Sequence, residues 1–495
     1  MINPRLAILG ALLLGVVAAA GFAPVSVSLA TIISIAMLWQ IWSKSTPRVA
    51  AAAGFAFGFG LFSTGTYWLY TAVHGVGKVP VPVALLLMGG LVAIMATYYG
   101  LLGGFYARYG RHHLPMESLC LLPGGWVLME WLRGWFLSGF PWLTVGYSQI
   151  DTPLAGYAPV LGVYGVSLAA VTVSGALLLA TRRRYLLAVV SVACIYGAGF
   201  LLRGVAFVHP TGAPVSVALV QGSVPQDEKW AEENREPTRQ LYRDLTQKAW
   251  GARVIVWPEA TLPQLYHDAV PFLAEVYADA HRHGSSLVMG MLRYDPDQDA
   301  IRNGLVALGD DEEWYYKRRL VPFGEFFPVP AFVRSWMRLQ NLSYVDLMPG
   351  SVHQPALHIA GLTLGETICY EDSYAAEQLD VLKEADALVN VSNDAWYGDS
   401  SAPHQHLEIT RMRALEAGRW MMRATNNGIS AFIAPDGHVV SRTRQFVPEV
   451  LRGSITPYGG MTPYARLGNV PVLVLCVLAM CLGLYVPYRA RPGTR

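Results

Sequence analysis

The chain has 495 residues, of which 53% are hydrophobic and 15% charged, against roughly 25% charged in an ordinary soluble protein. A mean hydropathy of +0.33 excludes a disordered chain and a purely cytosolic enzyme. The charges are also segregated: residues 203–467 hold 24 Lys/Arg and 32 Asp/Glu, net −8, whereas the other 230 residues hold 13 and 3, net +10. An acidic block without a basic stripe argues against nucleic acid as a partner.

Seven apolar runs precede that block, at about 6–22, 25–42, 49–70, 81–106, 116–136, 159–180 and 185–202, and an eighth follows at about 470–488. Crossing about 30 Å of hydrocarbon takes roughly 17–25 residues, so the pattern predicts a polytopic helical membrane protein with eight transmembrane helices. The tight Gly21-Phe22-Ala23-Pro24 link leads straight into the next run, which favours a helical hairpin over a signal peptide. Arg5, Lys44, Arg48, Arg108, Arg111, Arg182–Arg184, Arg489, Arg491 and Arg495 fall on one side of this arrangement. By the positive-inside rule that side is cytoplasmic. The expected division is residues 1–202 as seven helices, 203–467 as a periplasmic domain, and 468–495 as the eighth helix with a cytoplasmic tail. The location would be a bacterial inner membrane.

Glu130 and Arg133 have the i, i+3 spacing of an intrahelical ion pair, and with Glu117 they are the ionisable residues in or near the runs. A transporter is weakly supported on that basis. The aromatic, uncharged stretch 136–158 fits either a segment lying at the lipid interface or a packed connecting loop.

Within the block, strands are predicted at Pro214–Val220, Arg253–Trp257, Ser286–Met291, Leu305–Leu308 and Trp314–Tyr316. Others follow at Leu362–Ile368, Ala387–Val391, Ile429–Ile433 and Val450–Ile455. Pro271–His283 and His406–Thr425 read as helices. Strands interleaved with helices, plus a turn at Ala434-Pro435-Asp436-Gly437, indicate a layered α/β domain. Residues 331–339 carry Phe332, Trp336 and Leu339 on one helical face, a stripe that suits either the lipid surface or a core.

Of the five cysteines, Cys120, Cys194, Cys476 and Cys481 lie in the apolar runs, leaving Cys369 as the one in the outward block. It has no disulfide partner there and ends an apolar strand, so it is either a buried inert thiol or a used one. Two other strands end in Glu259 and Lys317. Each alone reads as a solvated strand end. Together a thiol, a carboxylate and an ammonium are the parts needed for acyl transfer through a thioester. Pairs such as His404 and His406, at i, i+2, lack the spacing of a metal site.

Here the sequence words become specific. They are Gln221-Gly222-Ser223-Val224-Pro225-Gln226 with Trp230, Trp257-Pro258-Glu259-Ala260, and Lys317 followed by Leu320-Val321-Pro322-Phe323-Gly324-Glu325. Further on stand Cys369-Tyr370-Glu371, Val391-Ser392-Asn393-Asp394-Ala395-Trp396, Arg411–Glu416 and Thr425-Asn426-Asn427-Gly428-Ile429-Ser430. The three segments resemble the Cys–Glu–Lys triad of the nitrilase superfamily. The surrounding words, over essentially the whole chain, resemble its membrane-bound apolipoprotein N-acyltransferase branch.

The resemblance implies a nitrilase-like αββα sandwich inserted before the last helix. It implies Cys369 as nucleophile, Glu259 as general base and Lys317 as oxyanion stabiliser. Glu325, Tyr370 and Glu371 would be supporting residues, and Trp230 a lipid-contacting one; beside the resemblance, the apolar Phe323, Phe326 and Trp396 are expected to join Trp230 in binding lipid. The implied reaction moves an acyl chain from a membrane phospholipid, through a Cys369 thioester, to the α-amine of a diacylglyceryl-modified N-terminal cysteine of an apolipoprotein. It needs no metal or other cofactor. The alternative is a membrane-tethered nitrilase-type amidase with water as acceptor.

Overall fold

The computed structural model describes residues 3–110, 114–136, 139–322, 324–326 and 346–489. Phe323 and the 331–339 stripe lie outside the described residues. The chain divides into two units. One comprises Met1–Val208, Tyr397–Gly418 and Gly460–Arg495, and the other His209–Trp396 and Arg419–Gly459.

The first unit is helical because its runs are apolar on every face and begin at good start signals. Pro4 and Pro47 sit in the first turn, where the missing N–H costs nothing, and Thr46 caps the helix Pro47–Gly65 by accepting from Val49 N. Among the described residues three helices, Val81–Tyr109, Pro153–Thr181 and Tyr185–Arg203, are long and apolar enough to cross a membrane. Pro47–Gly65 and Trp68–Val76 form a fourth if the pair, bent by 56°, counts as one span. Pro4–Ala19, Ser28–Ser43 and Val470–Tyr485 are shorter apolar helices. Small residues let the helices touch backbone to backbone: a Cβ on Gly15 would stand 2.0 Å from the Phe57 carbonyl oxygen.

Segment 139–158 is a packed connection, with Trp142, Val145, Tyr147, Ile150 and Leu154 buried, so the loop alternative is the correct one. The expected Glu130–Arg133 pair is spent differently. Arg133 donates to the Phe140 and Trp142 carbonyls (2.5 and 2.7 Å), and Glu130 accepts from Val145 N and the Trp126 indole (2.9 and 3.1 Å). A backbone that leaves the helix exposes polar groups, and these two side chains satisfy them.

The sequence-predicted helix His406–Thr425 is corrected. The helix is Ala402–Ala417, and Met421–Thr425 is a strand. Gly418, at φ +63°, takes the left-handed position that stops a helix; the methionines at 421 and 422 extend the apolar pattern past that stop. The helix belongs to the helical unit. Gln405 accepts from the Trp68 and Trp142 indoles (3.2 and 2.7 Å) and donates to the Gly65 carbonyl. Glu416 accepts from Val163 N at 2.6 Å, where Gly162 breaks the helix Ala158–Thr181.

In the second unit two six-stranded sheets lie face to face. The first has the order β13-β2-β3-β4-β5-β6, with β2 Val215–Gln221, β3 Val254–Val256, β4 Ser286–Asp295, β5 Ala300–Leu308, β6 Glu312–Tyr316 and β13 Glu449–Ile455. The second has the order β12-β11-β10-β9-β8-β7, with β7 Leu357–Ile359, β8 Leu362–Ile368, β9 Ala387–Ser392, β10 Met421–Thr425, β11 Ala431–Ile433 and β12 Val439–Arg442. Each has three parallel strands at its centre, β2-β3-β4 and β8-β9-β10. Strands β1 (Val208–Pro210) and β14 (Tyr458–Gly460) form a separate ribbon.

Strand alternation sorts the two cores. Val217, Leu219, Val254 and Val256 meet Leu364, Ile368, Val389 and Val391 between the sheets. Ala218, Val220, Ile255 and Leu287 point the other way, onto the helices Arg235–Ala249 and Tyr266–Arg282. The second of these helices begins five residues before the predicted start and carries Pro271 inside it. The first was not foreseen, because its many charged residues hide the apolar face.

The stop at Gly418 is testable. A Cβ there would lie 2.8 Å from Val208 Cγ2, at a φ that side chains avoid. Gly418→Val should cost about 1–3 kcal/mol, read as a lower thermal unfolding midpoint, with Gly418→Ala intermediate.

Candidate active site

β8 delivers Cys369 to the mouth of the second sheet and then turns sharply. Cys369 opens the 3-10 turn Cys369–Ser373 at φ +58°, a conformation that costs a non-glycine residue on the order of 1–3 kcal/mol. The turn persists because it is held on several sides. Asn390 Nδ2 donates to the Cys369 carbonyl (3.0 Å), and Ile368 N donates to Glu371 Oε2 (2.7 Å). Asn390 is held in turn by the fully buried Arg423, whose Nη1 donates to its Oδ1 at 2.7 Å. Arg423 also pairs with Asp394 (3.0 Å) and Asp372 (3.7 Å).

Opposite stands a buried charge cluster. Lys317, at the end of β6, is 1% exposed, and its Nζ donates to Glu259 Oε1 and Glu325 Oε1, both at 2.9 Å. Asn303 on β5 bridges the same two carboxylates, its Nδ2 donating at 2.8 Å to Glu259 and 3.1 Å to Glu325. The remaining carboxylate oxygens are also used: Asn393 N donates to Glu259 Oε2 (3.0 Å) and Val321 N to Glu325 Oε2 (2.8 Å). Glu371 ties this cluster to the cysteine turn. It accepts from Arg318 N (2.6 Å), Arg319 N (3.0 Å) and the Tyr315 hydroxyl (3.1 Å) as well as from Ile368 N.

The electrostatics follow from burial and charge. Burial alone would lower Lys317, but the Glu259 and Glu325 carboxylates override it and hold the ammonium well above its ordinary range. Burial pushes the Cys369 thiol well up, and the Glu259 carboxylate adds to this while Lys317 pulls the other way. The resting group is therefore a thiol. A carboxylate must take its proton as it attacks, and a fixed ammonium stands ready for an oxyanion.

Residues 14–176 match the apolipoprotein N-acyltransferase N-terminal domain family and residues 216–460 the carbon-nitrogen hydrolase family. The chain is similar to the apolipoprotein N-acyltransferase of Methylococcus capsulatus, 40% identical over 96% of this chain and 95% of that one. It is also similar to that of Photobacterium profundum, 36% identical over 98% and 96%. The chain belongs to the apolipoprotein N-acyltransferase family. Its fold also resembles a solved nitrilase-superfamily member, Nit3 of Saccharomyces cerevisiae, at 17% identity and a TM-score of 0.38, over 51% of this chain and 93% of that one.

The other family-implied positions divide. Tyr370 lies half-buried with its ring 5.8 Å from Lys317 Nζ and its hydroxyl donating to the Leu320 carbonyl. Trp230 is 49% exposed, and Phe326 and Trp396 are half-buried. Reading the sequence missed Asn303, Asn390 and Arg423. The one available signal was a polar or charged residue inside an otherwise apolar strand, which is costly unless it is bonded.

The raised thiol sets a pH dependence. A thiol whose folded pKa lies above its ordinary value gains thiolate only as pH rises towards that higher value. Iodoacetamide alkylation of Cys369, followed by peptide mass spectrometry, should therefore increase through pH 9 without a plateau. Lys317→Met, which removes the cation that favours thiolate, should slow it at every pH.

Proposed function

We propose that this acyltransferase works by a ping-pong route with a phospholipid donor and an apolipoprotein acceptor. The observation that carries this reading is the Lys317 ammonium clamped between Glu259 and Glu325, within electrostatic reach of a strained, buried Cys369 thiol. Glu259 accepts the Sγ proton as sulfur attacks an ester carbonyl of the donor, and Lys317 stabilises the oxyanion. Collapse breaks the ester C–O bond, and Glu259 returns the proton to the departing glycerol oxygen. The products are a lysophospholipid and an acyl thioester.

The α-amine of a diacylglyceryl-modified cysteine then attacks the thioester, forming the amide and releasing the thiol. Thioester to amide is downhill, so the chemistry needs no nucleotide. Trp230, Phe323, Phe326 and Trp396 contact the acyl chains and keep water from the intermediate. Glu325 and Glu371 are positioning residues, the first for Lys317 and the second for the turn that carries Cys369. Tyr370 supports the Lys317 side of the site.

We further propose eight membrane crossings in a bacterial inner membrane, with both termini cytoplasmic. Residues 1–202 then supply seven of them, 203–467 form the periplasmic catalytic domain, and 468–495 return the chain. The basic loops and apolar helices support this arrangement.

Cys369→Ala, Glu259→Gln and Lys317→Met should each lower acylation of a diacylated lipopeptide by roughly 10³-fold or more, as expected for a coupled unit. Lys317→Met should also lower the unfolding midpoint, because it leaves two buried carboxylates facing each other without a cation. Normal turnover by any one of the three would refute the assignment.

Wild-type enzyme given phospholipid alone should accumulate one hydroxylamine-labile acyl chain on Cys369. A free-amine lipopeptide should discharge it and an N-acetylated one should not. Continuous release of fatty acid without an adduct would instead identify a hydrolase. For topology, reporters fused after Arg184 and after Trp230 should read opposite sides of the membrane; the same side for both would refute eight crossings.

A further inference from the structure

The two carboxylates that clamp Lys317 differ in which sheet holds their outer oxygens. An ionised carboxylate has about four lone-pair sites. Glu259 Oε1 accepts from Lys317 Nζ (2.9 Å) and Asn303 Nδ2 (2.8 Å), and Glu325 Oε1 accepts from the same two groups (2.9 and 3.1 Å). Both inner oxygens are thereby filled. Among the described residues each outer oxygen accepts one N–H, Glu259 Oε2 from Asn393 (3.0 Å) and Glu325 Oε2 from Val321 (2.8 Å). One lone pair stays open on each carboxylate.

Val321 belongs to the same short segment as Glu325, four residues before it. Asn393 instead follows β9, in the sheet that carries Cys369. The end of β9 touches both reacting partners. Asn390 Nδ2 donates to the Cys369 carbonyl (3.0 Å), and three residues later Asn393 N donates to Glu259 Oε2. Glu259 is otherwise anchored in the first sheet, where Gly290 N donates to the Pro258 carbonyl (3.1 Å) and Thr261 N to the Gly290 carbonyl (2.8 Å). Segment 390–393 therefore sets the base against the nucleophile. Of the two carboxylates, Glu259 acts more strongly on Cys369.

Asn393 is itself held. It is buried, its Nδ2 donates to Gln226 Oε1 (2.6 Å), and its Oδ1 accepts from Asn426 Nδ2 (3.1 Å) and Ala395 N (3.3 Å). Asn426 grips the turn that carries Gln226: Val224 N donates to its Oδ1 (3.0 Å), and its Nδ2 donates to the Val224 carbonyl (2.7 Å). A buried and satisfied amide network of this kind is rigid.

We propose that Asn393 is a positioning residue for the first proton transfer. Its side chain aims the backbone N–H that leaves one lone pair of Glu259 Oε2 open, and the Cys369 proton goes to that lone pair. This rests on the acyl-transfer reading above and adds which oxygen acts and what aims it. The S–H bond breaks as its proton passes to Oε2, and the sulfur electron pair forms the C–S bond. The carbonyl π pair moves onto oxygen, beside the Lys317 ammonium. When the C=O bond re-forms, the glycerol C–O bond breaks, and Oε2 returns the proton to the glycerol oxygen.

The test uses the full chain in phospholipid nanodiscs and follows acylation of Cys369 by mass spectrometry as the phospholipid content is varied. Asn393→Ala keeps the backbone N–H but releases its aim. Its maximal loading rate should fall roughly 10–100-fold at pH 7, the cost of a misplaced catalytic group. Half-saturation should stay within about twofold of wild type, because the loss is in reaction and not in binding. Gln226→Ala removes one bond from the half-buried end of the network. It should lower the same rate about fivefold, the worth of one ordinary hydrogen bond.

The pH profile separates lost aim from general damage. Where Glu259 no longer meets the thiol, solvent must take the proton, and solvent-made thiolate grows about tenfold per pH unit below the thiol pKa. The ratio of variant to wild-type rate should therefore climb towards one between pH 7 and pH 9. Taking the ratio at each pH cancels the ionisation of Lys229, Lys317, Glu325 and Asp394, the other charges that act on Glu259 or Cys369.

Wild-type loading by either variant, a loss that is constant with pH, or a loss confined to half-saturation would each overturn the proposal. If Asn393→Ala lacks a cooperative unfolding transition, Gln226→Ala decides by the same criteria. Failure of the wild-type enzyme itself to load would overturn the acyl-transfer reading, and this one with it.

Discussion

One ammonium held between two carboxylates organises the catalytic unit. Lys317 is buried, and taking a charge out of water costs several kcal/mol unless good partners replace the solvent. Glu259 and Glu325 replace it at 2.9 Å each, and Asn303 ties the two carboxylates together from β5. These residues come from the ends of β3 and β6, from β5, and from the segment after Lys317. The cluster can exist only if the first sheet has its observed order and register. Removing the ammonium leaves two buried carboxylates without a cation, whereas removing either carboxylate leaves a single buried ion pair, so the lysine is the member on which the others depend.

The second sheet solves a different problem, that of holding a strained turn. Thr367, Asn390 and Arg423 face one another across the adjacent parallel strands β8, β9 and β10. Asn390 donates to Thr367 Oγ1 (2.9 Å) and to the Cys369 carbonyl, and receives from Arg423 and Ser392. Its amide is fully used, which makes it a rigid support. Arg423 faces the carboxylates of Asp372 and Asp394, and the Asp394 charge is among those that disfavour the Cys369 thiolate. The arginine therefore orients the turn and limits how much negative charge the thiol feels. The strain at Cys369 is sustained by a polar row on the face away from the sheet–sheet core.

The helical unit uses the same device in apolar surroundings. At three helix breaks a long polar side chain takes up the released backbone groups: Arg133 for the connection at Phe140 and Trp142, Glu416 for Val163, and Gln405 for Gly65. In hydrocarbon an unsatisfied N–H or C=O costs several kcal/mol, so breaks and these partners must occur together. Ionisable residues in the runs therefore do not require a transport pathway.

What the sequence by itself determined was local. Apolar length marked the helices, alternation marked most strands of the two sheets, and the words around Glu259, Lys317 and Cys369 singled out three polar strand ends. Those features depend on near neighbours in the chain, and so they are legible there. What only the tertiary structure decided were partnerships across long separations: Asn303 with Glu259 and Glu325, Arg423 behind Cys369, Asn393 with Glu259. Residues 402–425 show the boundary most clearly. Their apolar pattern runs on without a break, but Gly418 stops the helix. Gln405, Arg413 and Glu416 turn that helix onto the helical unit, while Met421–Thr425 pairs in register with β9. A side chain's bonding partner is set by packing in three dimensions, and periodicity along one dimension carries no record of it.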